Sequence, residues 1–223
     1  MKKFVIVILS LAFSLGLFAC SNPNQSSVKE EPETNKTLMI GDSLFDLWKS
    51  TCANDLNGLE NLTNIAIGGT NSMSWGKSLK LIQRELPVSN IIISLGTNDI
   101  ADLHRTAQQT ANGDSMGMGL KDLLNALHEL APNAQIYLLT INICGEQNRW
   151  NARGEIRACN QIMREYCATL DWATMVETEN AFYNDTNYEE KPASEYFVPD
   201  YLHFSAKGYQ VLTAIVRQAL GLE

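Results

Sequence analysis

A doubly wound α/β fold, with a mostly parallel sheet covered on both faces by helices, is the architecture the sequence predicts. Short apolar runs alternate with amphipathic stretches along the chain, the order in which βαβ units are built. The runs are continuously apolar rather than apolar at every second position, which marks strands buried on both faces. The length of 223 residues, 45% hydrophobic and 19% charged, belongs to an ordinary globular chain with one main domain.

The N-terminal segment comes first. Lys2 and Lys3 precede the apolar run Phe4 to Ala19, which fits the charged and hydrophobic regions of a secretory signal peptide. Its 16 residues fall short of the roughly 20 a spanning helix needs. The run ends in Leu17-Phe18-Ala19-Cys20, which resembles a bacterial lipoprotein signal; that resemblance makes Cys20 the lipid-modified N-terminus of the mature chain. A retained signal anchor is the alternative, and either one exports the body. Ser21 to Lys36 hold Ser, Asn, Pro and Glu with a single Val, too little apolar surface to fold, and read as a tether. The expected division is therefore a signal over 1–19, a tether over 20–36 and one domain over 37–223.

Within that domain five strands are expected: Leu38 to Ile40, Asn64 to Ile67, Ile91 to Leu95, Ile136 to Ile141 and Ala173 to Val176. Helical spacing links Leu120, Leu123, Leu124, Leu127 and Leu130, and again Ile156, Cys159, Met163, Tyr166 and Leu170. The last helix has Ser205 as its N-cap and places Tyr209, Leu212, Ile215, Val216, Ala219 and Leu220 on one face.

Composition excludes several function classes. Lys and Arg number 17 against 25 Asp and Glu, a net charge of -8, so the chain has no electrostatic footprint for nucleic acid. An anionic membrane surface repels the body, and attachment to a membrane falls to the N-terminal anchor. Besides Cys20 there are Cys52, Cys144, Cys159 and Cys167. An exported chain permits two disulfides, but Cys159 and Cys167 on one helix stand about 12 Å apart and cannot join each other. Four buried thiols are the other reading. Neither the cysteines nor His104, His128 and His203 show metal-ligand spacing, so no metal is expected.

In doubly wound sheets the site lies at the carboxyl ends of the strands, where strand order reverses. After the first strand comes Gly41-Asp42-Ser43-Leu44, after the second Gly68-Gly69-Thr70, after the third Gly96-Thr97-Asn98-Asp99, and before the final helix Asp200-Tyr201-Leu202-His203. Taken singly each is a turn or a cap, Asp42 or Ser43 capping the helix that follows. Together their chemistry is complementary. A serine hydroxyl becomes a nucleophile when a base takes its proton; His203 is a base and Asp200 the carboxylate to orient it. Gly69 and Asn98 supply the backbone N–H and side-chain amide suited to a developing oxyanion.

On these four blocks, in this order and spanning 37–223, the sequence resembles the SGNH hydrolases, also called the GDSL esterase and lipase family. The resemblance implies Ser43 as nucleophile, Asp200 and His203 as its partners, and an oxyanion hole built from the N–H of Ser43, Gly69 and Asn98. Gly68 competes for the glycine position, but the family glycine sits two residues beyond the apolar one, here Ile67. It also implies a three-layer α/β/α body on a five-stranded parallel sheet in flavodoxin-like order 2-1-3-4-5, and acyl transfer through an acyl-enzyme with no cofactor.

Gly113-Asp114-Ser115-Met116-Gly117 matches another nucleophile motif, G-x-S-x-G, but the polar stretch Arg105 to Asn112 before it is no buried strand. His104 follows Asn98 closely enough to reach the rim. A body close to the minimal size for this fold favours short acyl esters, with an O-acetylated carbohydrate preferred over a lysophospholipid or thioester. Trp48, Trp75 and Trp150 with Phe182, Tyr183, Tyr188, Tyr196 and Phe197 are either a sugar-stacking platform or core. The rivals to an envelope esterase on small-molecule or glycan esters are an O-acyltransferase using the same triad and a binding lipoprotein without catalysis.

Overall fold

The computed structural model describes residues 35–107, 119–184, 186 and 188–222. The expected signal, Cys20 and most of the tether lie outside the described residues, as does Ser115. Asn35 and Lys36 tie the start of the described chain to the body: Asn35 Nδ2 donates to Glu60 Oε2 at 3.5 Å, the Lys36 carbonyl accepts from Ser89 N at 2.9 Å, and Lys36 Nζ reaches Glu85 Oε2 at 2.6 Å. Among the described residues no helix is long and apolar enough to cross a membrane.

The chain alternates as expected. Strand β1 (Thr37–Gly41) leads to the short helices α1 (Ser43–Asp46) and α2 (Cys52–Asp55), then β2 (Leu62–Asn64) to α3 (Ser72–Gln83). After β3 (Asn90–Ser94) come a 3₁₀ turn, α4 (Leu103–Ala107) and α5 (Leu120–Leu130). Next are β4 (Gln135–Leu139), α6 (Gln147–Asn151), α7 (Arg153–Cys167), β5 (Ala173–Val176) and α8 (Ala206–Ala219). The five strands form one parallel sheet in the order β2-β1-β3-β4-β5.

Alternate strand residues feed two cores. Leu38, Ile40, Ile91, Ile93, Ile136 and Leu138 pack with Trp75, Leu123, Leu127, Ile156 and Met163 of α3, α5 and α7. Met39, Ile92 and Leu139 pack with Leu44, Phe45, Trp48, Leu212 and Val216 of α1, its following turn and α8. Helices on both faces of the sheet make the three layers. The strand order reverses at β1, so β1, β2 and β3 bring their carboxyl ends side by side.

One expectation needs correction, and the structure decides between two pairs of alternatives. The second strand ends at Asn64 rather than running to Ile67. Ile65 and Ile67 still donate to the β1 carbonyls of Met39 and Gly41, and the Asn64 side chain takes the intervening Ala66 N–H, which faces the open outer edge, at 3.0 Å. Of the aromatics read as platform or core, Trp48, Trp75, Phe182 and Phe197 are core. The His128 ring stacks on Trp172, their centroids 4.2 Å apart and the planes nearly parallel. No disulfide forms among the four described cysteines: Cys52 and Cys144 sit in one core, Cys159 and Cys167 in the other, with the sheet between the pairs. Burial pushes the thiols of Cys144 and Cys167 up to about 11 and that of Cys159 to about 12, so they stay protonated and packed.

Candidate active site

The turn after β1 is built on a close approach. A Cβ on Gly41 would lie 2.6 Å from the Ser94 carbonyl, so only glycine fits between β1 and β3 there. Asp42 N donates to that same carbonyl at 3.1 Å, and Asp42 Oδ1 accepts from Leu44 N at 3.0 Å, capping α1. Capping by Asp42 and a free hydroxyl on Ser43 are thus compatible. Ser43 becomes the first residue of α1, partly exposed, with its own N–H finding no acceptor among the described residues.

The Asp42 carboxyl is fully buried, and Oδ2 has no hydrogen-bond partner among the described residues. Burial pushes its pKa up to about 7, against the Leu44 amide and the charges of Arg149 and His203, which pull it down.

Asp200 and His203 occupy the loop that enters α8. Asp200 Oδ1 accepts from Leu202 N at 2.8 Å and His203 N at 2.9 Å, which turns the loop and leaves Oδ2 facing His203 Nδ1 at 2.6 Å. His203 Nε2 lies 2.9 Å from Ser43 Oγ. Burial works against ionised Asp200, but the bonds from the His203 ring and from the two amides outweigh it and hold the carboxyl below its ordinary value. Across 160 residues of chain, a hydroxyl, an imidazole and a carboxylate meet in one line.

The remaining blocks converge on the same rim. Gly68 N donates to Asp46 Oδ2 at 3.1 Å and is spent. Gly69, exposed and at φ +75°, has an N–H with no acceptor among the described residues, which favours Gly69 over Gly68 as an anion donor. Asn98 donates one amide hydrogen to the Thr70 carbonyl at 2.9 Å and keeps the second. Gly96 before it, at φ +113°, lies so tightly against Ile141 that any Cβ would collide. His104 lies in α4, and its side chain is outside the described residues.

Sequence reasoning missed Thr70, Glu146 and Arg149. Thr70 Oγ1 donates toward the Gly41 and Ile67 carbonyls and accepts from Trp75 Nε1, tying the second block to the first. Arg149 Nη2 donates to Asn98 Oδ1 at 3.1 Å, and Arg149 Nη1 pairs with Glu146 Oε2 at 3.0 Å. Both stand in the polar stretch after β4, where nothing in spacing or composition separates them from solvated residues. Among the described residues no group of three or more His, Cys, Asp or Glu could hold a metal ion.

The model of the GDSL-like lipase/acylhydrolase family matches residues 39–211. The chain belongs to this family. As a GDSL-type enzyme it is a hydrolase acting on ester bonds. No curated protein matches it. Among solved structures it is similar to a candidate platelet activating factor from Streptococcus pneumonia, at 22% identity over 88% of this chain and 87% of that one, with a TM-score of 0.65. A GDSL-like lipase from Bacteroides thetaiotaomicron is 18% identical over 84% and 88%, with a TM-score of 0.62. The catalytic domain of the peptidoglycan O-acetyltransferase from Streptococcus pneumoniae is 15% identical over 83% and 92%, with a TM-score of 0.55. These likenesses are of fold: the five-stranded parallel sheet is the GDSL architecture.

Proposed function

We propose that this GDSL hydrolase is an envelope esterase that uses Ser43 as nucleophile, His203 as base and Asp200 to orient it. The observation that carries the reading is the hydrogen-bonded line from Ser43 Oγ to His203 Nε2 and from Nδ1 to Asp200 Oδ2. Ser43 Oγ attacks the ester carbonyl as its proton passes to Nε2, forming a tetrahedral oxyanion. The N–H groups of Ser43 and Gly69 and the second amide hydrogen of Asn98 receive that charge. The imidazolium returns the proton to the departing alcohol, leaving an acyl-Ser43 ester. Water, deprotonated by the same imidazole, then releases the acid and restores the hydroxyl. Asp200 stays ionised throughout and needs no cofactor beside it.

Short acyl esters of a glycan or small molecule are the proposed substrates. The rim is open, with the His203 side chain 25% and that of Asp200 46% exposed. An open rim of this kind favours a short acyl group over a long lipid tail, which needs an apolar cavity to bury it. Lys2, Lys3, the run to Ala19, Cys20 and the polar tether support a lipid-anchored place in the bacterial cell envelope, periplasm or surface.

The test is hydrolysis of nitrophenyl esters from acetyl to palmitoyl by the chain, with Ser43→Ala and Ser115→Ala beside it. Hydrolysis strongest on acetyl and lost only in Ser43→Ala is the expected result; loss only in Ser115→Ala overturns the assignment. The same acyl-Ser43 could pass its acyl group to a sugar hydroxyl, and the fold shared with the peptidoglycan O-acetyltransferase domain favours that as the second reading. Product formed only when an acceptor is supplied would select it.

A further inference from the structure

One guanidinium reaches three acceptors around Asn98. Arg149 Nη2 donates to Asn98 Oδ1 at 3.1 Å, Nε to the Thr97 carbonyl at 3.0 Å, and Nη1 to Glu146 Oε2 at 3.0 Å. Glu146 in turn caps α6 by accepting from Arg149 N at 3.1 Å, and the Arg149 side chain is only 18% exposed. A carboxamide can sit in either of two orientations that exchange its oxygen and nitrogen. Here the cation holds Oδ1, and the Thr70 carbonyl takes one N–H at 2.9 Å, so both ends are fixed and the remaining N–H is the unspent one.

We propose that Arg149, held by Glu146, is a positioning residue for the reaction: it locks the Asn98 amide with its free N–H presented to the oxyanion and prevents the turned orientation, which would present a carbonyl oxygen instead. The inference rests on Asn98 as an oxyanion donor. An amide whose oxygen is bound to a partly buried cation is also a more polarised donor at its nitrogen. The same corner carries a second connection. Gly145 N and Glu146 N both donate to the Tyr201 carbonyl at 3.0 Å, so the segment that fixes Asn98 is anchored on the loop holding Asp200 and His203. The oxyanion side and the base side of the site thereby share one support.

A double-mutant cycle on the full chain tests it, with kcat and KM measured on nitrophenyl acetate for Asn98→Ala, Arg149→Met, the pair together and Arg149→Lys. Asn98→Ala is expected to lower kcat by about 10²- to 10³-fold, the cost of one oxyanion donor. Arg149→Met should lower kcat by roughly ten- to a hundredfold with KM unchanged, yet add less than about twofold when Asn98 is already alanine. Arg149→Lys, which keeps the charge but loses the planar fork, should lower kcat at unchanged KM and serves where Arg149→Met fails to fold. An equal loss from Arg149→Met in both backgrounds, or a rise in KM at constant kcat, overturns the clamp. Asn98→Ala with full kcat would instead remove the oxyanion role of Asn98, and the clamp with it.

Discussion

Asp200 shows how much one carboxylate does at this site. One of its oxygens folds the loop by accepting two amide hydrogens, and the other faces the imidazole. Asp200→Asn keeps an oxygen for the two amides but places an NH₂ donor against Nδ1. The imidazole then turns its hydrogen-bearing nitrogen toward Ser43, the wrong tautomer for a base. The expected outcome is a fall in kcat of about 10²- to 10⁴-fold with the melting temperature nearly unchanged, read by steady-state kinetics beside a thermal melt. The candidates Ser43, Gly69, Asn98, Asp200 and His203 could be picked out in the sequence because each stands after an expected strand or before the last helix and is of a type that acyl transfer needs. Arg149 could not, since an arginine in a polar stretch carries no local signal and its role exists only where Thr97, Asn98 and Glu146 come together.

The strands were legible as elements for the reason that makes them buried. Ile91 to Ile93 and Ile136 to Leu139 are apolar at successive positions because both sheet faces are covered, and the expected strands Ile91 to Leu95 and Ile136 to Ile141 fall within one or two residues of β3 and β4. The edge strand reads longer in the sequence than its regular pairing because Ile65 and Ile67 still donate to β1 beyond Asn64, while Asn64 takes the Ala66 amide on the open edge. Helix α8 begins where Ser205 indicated, with Oγ accepting from Gly208 N at 3.2 Å. The sheet order does the rest. With β1 between β2 and β3, the turns after three strands far apart in sequence become neighbours, and the Asp200–His203 loop closes over them from the α8 side.

For the whole molecule, the two cores hold the frame and a buried acid lies where they meet the site. Asp42, fully buried beneath Ser43, has its pKa raised to about 7 by desolvation, whereas in the unfolded chain it titrates near the ordinary 3.8. Between those values the folded protein binds a proton that the unfolded chain has released. The Asp42 contribution to stability is therefore full below about pH 4 and is lost as the pH rises through 7. Asp42→Asn cannot ionise, and its Oδ1 still caps Leu44. The melting temperature of the variant relative to the parent should rise between pH 5 and pH 8; a constant difference would show that Asp42 does not change its protonation there.

The central claim is that Ser43 is the nucleophile and His203 its base. Its most direct test is a serine-directed phosphonate or sulfonyl fluoride, followed by intact mass and peptide mapping. A single adduct on Ser43, formed together with loss of esterase activity and absent from His203→Ala, is the expected result. Label on Ser115, or complete inactivation with Ser43 unmodified, would contradict it.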